Sequence, residues 1–174
     1  MEHNYCVFIG RFQPFHNSHL QVVREGLSQA KELIIVLGSA HSARNIKNPW
    51  TVEDREYMIR LCLSEEENKR THFVGVRDYF YNDNLWVADI QAKVNSITDG
   101  DQTTALIGTY KDSSSYYIKL FPQWEFLPSR SNGILNATDA RKALFDAPSE
   151  ANNAVLENML PPPINQYLAR FKNT

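Results

Sequence analysis

A short apolar run, Tyr5-Cys6-Val7-Phe8-Ile9, breaks at Gly10 into Arg11-Phe12-Gln13-Pro14-Phe15-His16-Asn17-Ser18-His19, and an amphipathic stretch follows to about Ala30. Strand, tight turn and helix start in that order open a parallel α/β unit. A glycine lets the backbone turn closely. The first N–H groups of a helix lack partners and sit at its partly positive end. An arginine and two histidines converging there make the parts of a phosphate site. With the helix starting near Asn17, His16 lies on the approach and His19 in the first turn. Both rings are then expected to face one phosphate in a wet cleft. A His-x-x-His pair alone is more often structural, or half of a zinc site. No Cys, Asp or Glu cluster at metal-ligand spacing accompanies this one, and Cys6 and Cys62 are isolated.

The same alternation continues along the chain. Strand candidates are Tyr5–Ile9, Leu33–Gly38, His72–Val76, Thr104–Gly108 and Trp124–Leu127. Helical patterns fall between and after them, at Ser18–Ala30, Val52–Leu63, Leu85–Ser96, Ser113–Leu120, Ala137–Phe145 and Ile164–Phe171. Thr51, with Asp54 three residues on, is a good start for the second helix. Asp146–Asn153 reads as polar and turn-like. Pro161-Pro162-Pro163 breaks the chain before a terminal helix expected to pack on the same domain. The fold expectation is therefore α/β: a doubly wound parallel sheet of about five strands, binding its ligand beyond the strands' carboxyl ends. One domain over residues 1–174 accommodates this.

Bulk properties exclude several classes. A net charge of −2 gives no general field for nucleic acid, so an anion site must be built locally. Apolar runs such as Leu33-Ile34-Ile35-Val36-Leu37 are too short to cross a membrane. The first residues lack a signal-peptide pattern, and two distant cysteines suggest reduced thiols, so a cytoplasmic setting is expected. Neither a Walker A loop nor a Gly-x-Gly-x-x-Gly turn is present, which argues against a P-loop kinase or an ordinary dinucleotide-dependent dehydrogenase.

Four further segments carry chemistry. Leu135-Asn136-Ala137-Thr138-Asp139-Ala140-Arg141 puts Thr138 and Arg141 on one helix face behind a capping Asn136, which alone reads more readily as a plain cap with a solvated arginine than as a second phosphate cradle. Gly38-Ser39-Ala40-His41-Ser42-Ala43-Arg44-Asn45-Ile46-Lys47-Asn48-Pro49-Trp50-Thr51 follows the second strand, where Arg44 and Lys47 could reach a polyphosphate. Tyr81-Asn82-Asp83-Asn84-Leu85-Trp86-Val87 follows the third strand. Gly108-Thr109-Tyr110-Lys111-Asp112 follows the fourth, its glycine permitting close approach of backbone or ligand.

The Gly10–His19 decapeptide resembles the GRFxPxHxGH signature of the nucleotidyltransferase α/β-phosphodiesterase superfamily, with Ser18 where that family usually has glycine. Residues Leu135–Arg141 resemble its second signature, ISxTxxR, with Asn136 in the serine position. Gly38–Thr51 resembles the GSA…NPFT stretch of the archaeal-type nicotinamide-mononucleotide (NMN) adenylyltransferases, with Trp50 for phenylalanine. Tyr81–Val87 looks like that family's base-recognition stretch, where a tryptophan stacks on the nicotinamide ring. The resemblance runs from Tyr5 to about Phe145 and extends to bacterial versions fused to a Nudix hydrolase. No Nudix box occurs in these 174 residues, so the chain is expected to be a stand-alone version or an excerpt.

The resemblance implies a Rossmann-like sheet and transfer of AMP from ATP to NMN, giving NAD and pyrophosphate. It assigns His16, His19, Arg11 and Arg141 to catalysis. Gly10, Phe12, Lys47, Gly108, Tyr110, Asn136 and Thr138 would bind ATP, and Ser39, Asp83 and Trp86 would bind NMN. A pyridinium on the indole of Trp86 suits this, since indole is the best aromatic face for a cation. Mg²⁺ would be held mainly by ATP phosphates, with no protein metal ligand named. A homo-oligomer or a Nudix domain outside these residues are further expected partners. Two other readings stay open: an adenylyl- or cytidylyltransferase with another acceptor, and a nucleotide-binding regulatory module without catalysis.

Overall fold

The computed structural model describes residues 2–109, 115–131 and 135–172. Five strands form one sheet: β1 (His3–Gly10), β2 (Ala30–Leu37), β3 (Thr71–Gly75), β4 (Ala105–Gly108) and β5 (Glu125–Pro128). Their order is β3-β2-β1-β4-β5, and every pairing is parallel. The order reverses between β1 and β4, which makes this the Rossmann-type switch point, beside the end of β1. Gly10 pairs with Leu37, and Leu37 with Gly75. Three strands therefore end flush, and their loops leave along one edge.

Both faces of the sheet are covered. Cys6, Phe8, Leu33, Ile35, Leu37 and Ile107 enter one core, whereas Val7, Ile9, Ile34, Val36 and Leu106 enter the other. This is the two-residue period of a strand buried on both sides. The first core receives α1 (Asn17–Gln29), α2 (Val52–Leu61), α5 (Ala137–Phe145), α6 (Glu150–Met159) and α7 (Pro162–Lys172). The second receives Ile90 and Val94 of α4 (Asp83–Thr98), together with Phe121 and Trp124. The short α3 (Glu65–Lys69) precedes β3. Among the described residues no helix is long and apolar enough to cross a membrane.

Two stretches differ from the sequence expectation. Residues 150–153, read as turn-like, are the first turn of α6, capped by Ser149, whose hydroxyl accepts from Asn152 N–H at 3.0 Å. The apolar signal of that helix lies only in its last half, where Leu156 and Met159 are buried. The described part of the expected Ser113–Leu120 helix is a 3₁₀ turn over Ser115–Leu120. By contrast α5 spans the expected residues, and α7 begins inside the proline run, at a position where the missing N–H costs nothing.

The start of α2 is a reciprocal cap. Thr51 Oγ1 accepts from Asp54 N–H at 3.0 Å, and Asp54 Oδ2 accepts from Thr51 N–H at 3.1 Å. Replacing a capping threonine by alanine costs on the order of 1 kcal/mol. Thr51→Ala should therefore lower the urea midpoint by that equivalent while Thr51→Ser stays near wild type. Equal midpoints for all three proteins would show that the cap contributes nothing.

Candidate functional site

Helix α1 is capped by a histidine. The Nδ1 of His16 accepts from His19 N–H at 3.4 Å, and the Nδ1 of His19 accepts from His16 N–H at 3.2 Å. The two rings stack with centroids 3.7 Å apart and an interplanar angle of 12°. Because each Nδ1 accepts, the proton of each neutral ring sits on Nε2. The cap thus turns both rings into Nε2–H donors at a helix N-terminus, where anions are favoured.

His19 is less open to solvent than expected. Its ring is half-buried and packed against Phe12 at 4.8 Å, Phe15 at 5.6 Å and Phe8 at 6.1 Å. That burial, and then the neighbouring His16, hold its pKa well below the usual histidine value. His16 is 4% exposed. Ser18 sits inside the first turn, since the cap is His16.

Phe12 has a φ of 54° and is 2% exposed, so its ring belongs to the core and leaves its main chain as the part that could meet ATP. Gly10 is required for the same reason. A Cβ there would lie 2.8 Å from Phe12 Cζ, so the glycine makes room for a ring, while the left-handed backbone belongs to Phe12 itself.

The second phosphate segment is brought to the first. Asn136 caps α5, with Oδ1 accepting from Asp139 N–H at 2.9 Å. Arg141 Nη1 donates to Gln13 O at 2.6 Å, and Nη2 donates to Thr138 Oγ1 at 3.3 Å. Burial and then repulsion from Arg11 lower the Arg141 pKa, so two guanidinium groups are held close enough to oppose each other. Such a pair is relieved by a shared anion.

The third segment is bonded to the same loop. Gln13 Nε2 donates to Trp50 O at 3.0 Å, and its Oε1 accepts from Trp50 N–H at 3.1 Å. Trp50 is buried and stacks on Phe145 of α5, centroids 6.1 Å apart. Ser39, with φ of 52°, is buried and donates through Oγ to Asp78 Oδ1 at 3.0 Å. Lys47 and Asp83 are exposed, and among the described contacts neither side chain joins the His–Arg cluster. The N-cap of α4 is Asn82, which accepts from Leu85 N–H at 3.1 Å, so Asp83 is free of that role. Trp86 is part-buried and lies 5.8 Å from the Phe121 ring. Gly108 ends β4 opposite Pro128. Tyr110 lies outside the described residues.

Sequence reasoning missed Gln13 and Arg55. Arg55 is 1% exposed and, among the described residues, donates only to main-chain carbonyls in this same region. Its signal was an arginine at the i, i+3, i+4 spacing of a core stripe with Met58 and Ile59. Among the described residues no three His, Cys, Asp or Glu side chains cluster to hold a metal ion. The groups brought together are donors, which suit phosphate oxygens and not a cation.

A lowered histidine pKa has a defined sign. The unfolded state takes up the proton at pH values where folded His19 refuses it. The contribution is full above the unfolded value of about 6.5 and erodes as pH falls below it. Wild type should lose urea resistance between about pH 7.5 and about pH 5 more steeply than His19→Gln, which keeps a cap acceptor at that position. Equal slopes would remove His19 as the cause.

The cytidylyltransferase-like family matches residues 7–118. The nicotinamide/nicotinic acid mononucleotide adenylyltransferase of Acinetobacter baylyi is 42% identical over 172 residues, covering 98% of this chain and 88% of that one. The nicotinamide-nucleotide adenylyltransferase of Sulfurisphaera tokodaii is 30% identical over 172 residues, with 96% and 91% covered. A bifunctional NMN adenylyltransferase/ADP ribose pyrophosphatase from Francisella tularensis, solved with AMP and a manganese ion, superimposes with a TM-score of 0.82 at 31% identity. It covers 99% of this chain, and the chain spans half of that longer protein. The chain belongs to the cytidylyltransferase-like family and, within it, to the nicotinamide-mononucleotide adenylyltransferases.

Proposed function

We propose that this chain transfers the adenylyl group of ATP to the 5′-phosphate of NMN, giving NAD and pyrophosphate, with His16, His19, Arg11 and Arg141 acting on the phosphates. The observation that carries this reading is the reciprocal histidine cap on the same loop whose main chain holds the Arg141 guanidinium at Gln13 O. It is a set of donors with a gap in charge that a polyphosphate fills.

The chemistry needs little else. An oxygen of the NMN phosphate attacks the α-phosphorus of ATP. A new P–O bond forms, and the bond from the α-phosphorus to the bridging oxygen breaks, releasing pyrophosphate. The nucleophile is already an anion near neutral pH, so no general base is required. Rate then comes from alignment and from donors aimed at charge on the moving phosphoryl group and the leaving oxygen. His16 and His19 supply Nε2–H donors, Arg11 and Arg141 carry the opposite charge, and Thr138 and Lys47 assist. Mg²⁺ fits as an ion carried on phosphate oxygens, because the side chains gathered here are donors; bound there, it neutralises phosphate charge. Ser39, Trp86 and Asp83 form the mononucleotide side, with the pyridinium on the Trp86 ring.

Pyrophosphate release from ATP plus NMN tests the activity directly. In Arg141→Ala the lost charge-assisted contact should lower kcat/KM for ATP by roughly 10- to 100-fold, from about 1.5–3 kcal/mol. Unchanged ATP use would take Arg141 out of the site. Binding of ATP without any turnover would favour the regulatory module.

Choice of base turns on Asp83. Its carboxylate would accept from the amide of NMN and repel the carboxylate of nicotinic acid mononucleotide. Because Asp83 is exposed, that repulsion is screened and worth up to about 1 kcal/mol. A modest preference for NMN is expected, in keeping with a relative named for both mononucleotides. Asp83→Asn should narrow the ratio of the two turnovers by up to roughly five-fold. An unchanged ratio would leave Asp83 outside the base pocket. Asn82 keeps the helix cap in the variant, so a lost cap cannot produce the change.

A further inference from the structure

Arg55 is a nearly fully buried cation whose hydrogen bonds all go to main-chain carbonyls. It rises from the core-facing stripe of α2, where Met58 and Ile59 are its neighbours. Its head reaches the carboxyl edge of the sheet. There Nη1 donates to Gly38 O at 2.6 Å and to Arg11 O at 2.7 Å, and Nε donates to Thr51 O at 3.1 Å. Those three carbonyls belong to the loop after β1, the end of β2 and the cap of α2. Among the described residues no carboxylate lies within ion-pair distance of it. Burial lowers its pKa to about 10, opposed by more distant Glu53, Asp54 and Asp78, so it stays charged at neutral pH. A charge in such a place is tolerated only when its donors are satisfied.

The loops it joins also touch each other through Arg11. Gly38 N–H donates to Gly10 O at 2.8 Å. A Cβ at Gly38 would stand 3.4 Å from Arg11 Cγ and 3.4 Å from Gly10 O, so the stem of Arg11 lies across Gly38. Arg11 is thus held at its carbonyl by Arg55 and along its stem by the residue whose carbonyl Arg55 also holds. Its guanidinium is exposed and already opposed by Arg141. Without an anion, nothing else described fixes where that head points.

We propose that Arg55 is a positioning residue for the reaction: by holding the carbonyls of Arg11 and Gly38 it sets the Arg11 guanidinium against the ATP polyphosphate, without touching substrate. The proposal rests on the adenylyl-transfer reading for its substrate. Arg55 acts on the ATP side and not on the mononucleotide side, whose candidates Asp83 and Trp86 belong to α4.

The test is a double-mutant cycle of Arg55→Lys with Arg11→Ala, read on kcat and KM for ATP and for NMN and on ATP affinity by calorimetry. Lysine keeps the charge but loses the fork that reaches three carbonyls at once. Arg55→Lys should lower kcat/KM for ATP about ten-fold and leave KM for NMN within about two-fold of wild type. In the Arg11→Ala background the same change should cost nothing further. Losses that multiply, or a folded Arg55→Lys protein with wild-type ATP use, would overturn the proposal. If Arg55→Lys fails to accumulate, Gly38→Val probes the junction from its other side without removing charge, since a Cβ there already stands at contact distance from Arg11 Cγ and a branched side chain must displace that stem. It should show the ATP loss only when Arg11 is present, and full ATP affinity in that variant would also overturn the proposal. If wild type binds ATP but does not convert NMN, the functional reading falls, and the calorimetric cycle still decides the role of Arg55.

Discussion

The loops that leave β1 and β2 carry Arg11, His16, Ser39 and Lys47, and neither loop has a ladder of its own to hold it. They hold each other. Gln13 closes two hydrogen bonds on the backbone of Trp50, Arg55 gathers the carbonyls of Arg11, Gly38 and Thr51, and Gly38 N–H returns to Gly10 O. Buried loop backbone must find partners for its N–H and C=O groups. Here the partners are the side chains that align one binding loop on the next. Flush strand ends make this possible, because Gly10, Leu37 and Gly75 lie in register. A slip of one residue would point each loop's side chains to the opposite face.

The same economy joins the last third of the chain to the first. Arg141 reaches back across 128 residues to the carbonyl of Gln13, and Phe145 lies against Trp50. Helix α5 is therefore fixed to both loops before any nucleotide arrives. Preorganisation of this kind is what electrostatic catalysis requires, since donors placed in advance need no rearrangement in the transition state.

Much of this was legible in the sequence. The strand–helix alternation, the caps at Thr51 and Asn136 and the bounds of α5 follow from local pattern, whereas a shared role for the two phosphate signatures came only from the family resemblance. Other features were not legible, for distinct physical reasons. Helix α6 begins with a polar turn and shows its apolar face only at Leu156 and Met159. Arg55 was hidden because a charged residue reads as solvated until the fold shows three carbonyls waiting for it. The burial of Phe12 was hidden because its left-handed backbone, which sends the ring under the loop, is not written in its identity. Gln13 sits at a position the motif leaves open, and only the folded chain brings Trp50 beside it.

The neutrality of the histidines completes the logic of the site. Arg11 and Arg141 already oppose each other, and Arg55 adds a third charge just behind. Two imidazolium groups would tighten the hold on ATP, on the transition state and on pyrophosphate alike. Uniform binding of that kind lowers KM without speeding the chemical step, and it retards release of a highly charged product. The mutual cap prevents this, because protonating either Nδ1 would set two N–H groups against each other and break the first turn of α1. Each ring is left as a neutral donor, and in the proposed reaction its hydrogen bond strengthens as negative charge builds on the phosphate oxygens. A local folding rule, the satisfaction of a helix N-terminus, thereby sets the protonation state that the proposed chemistry needs.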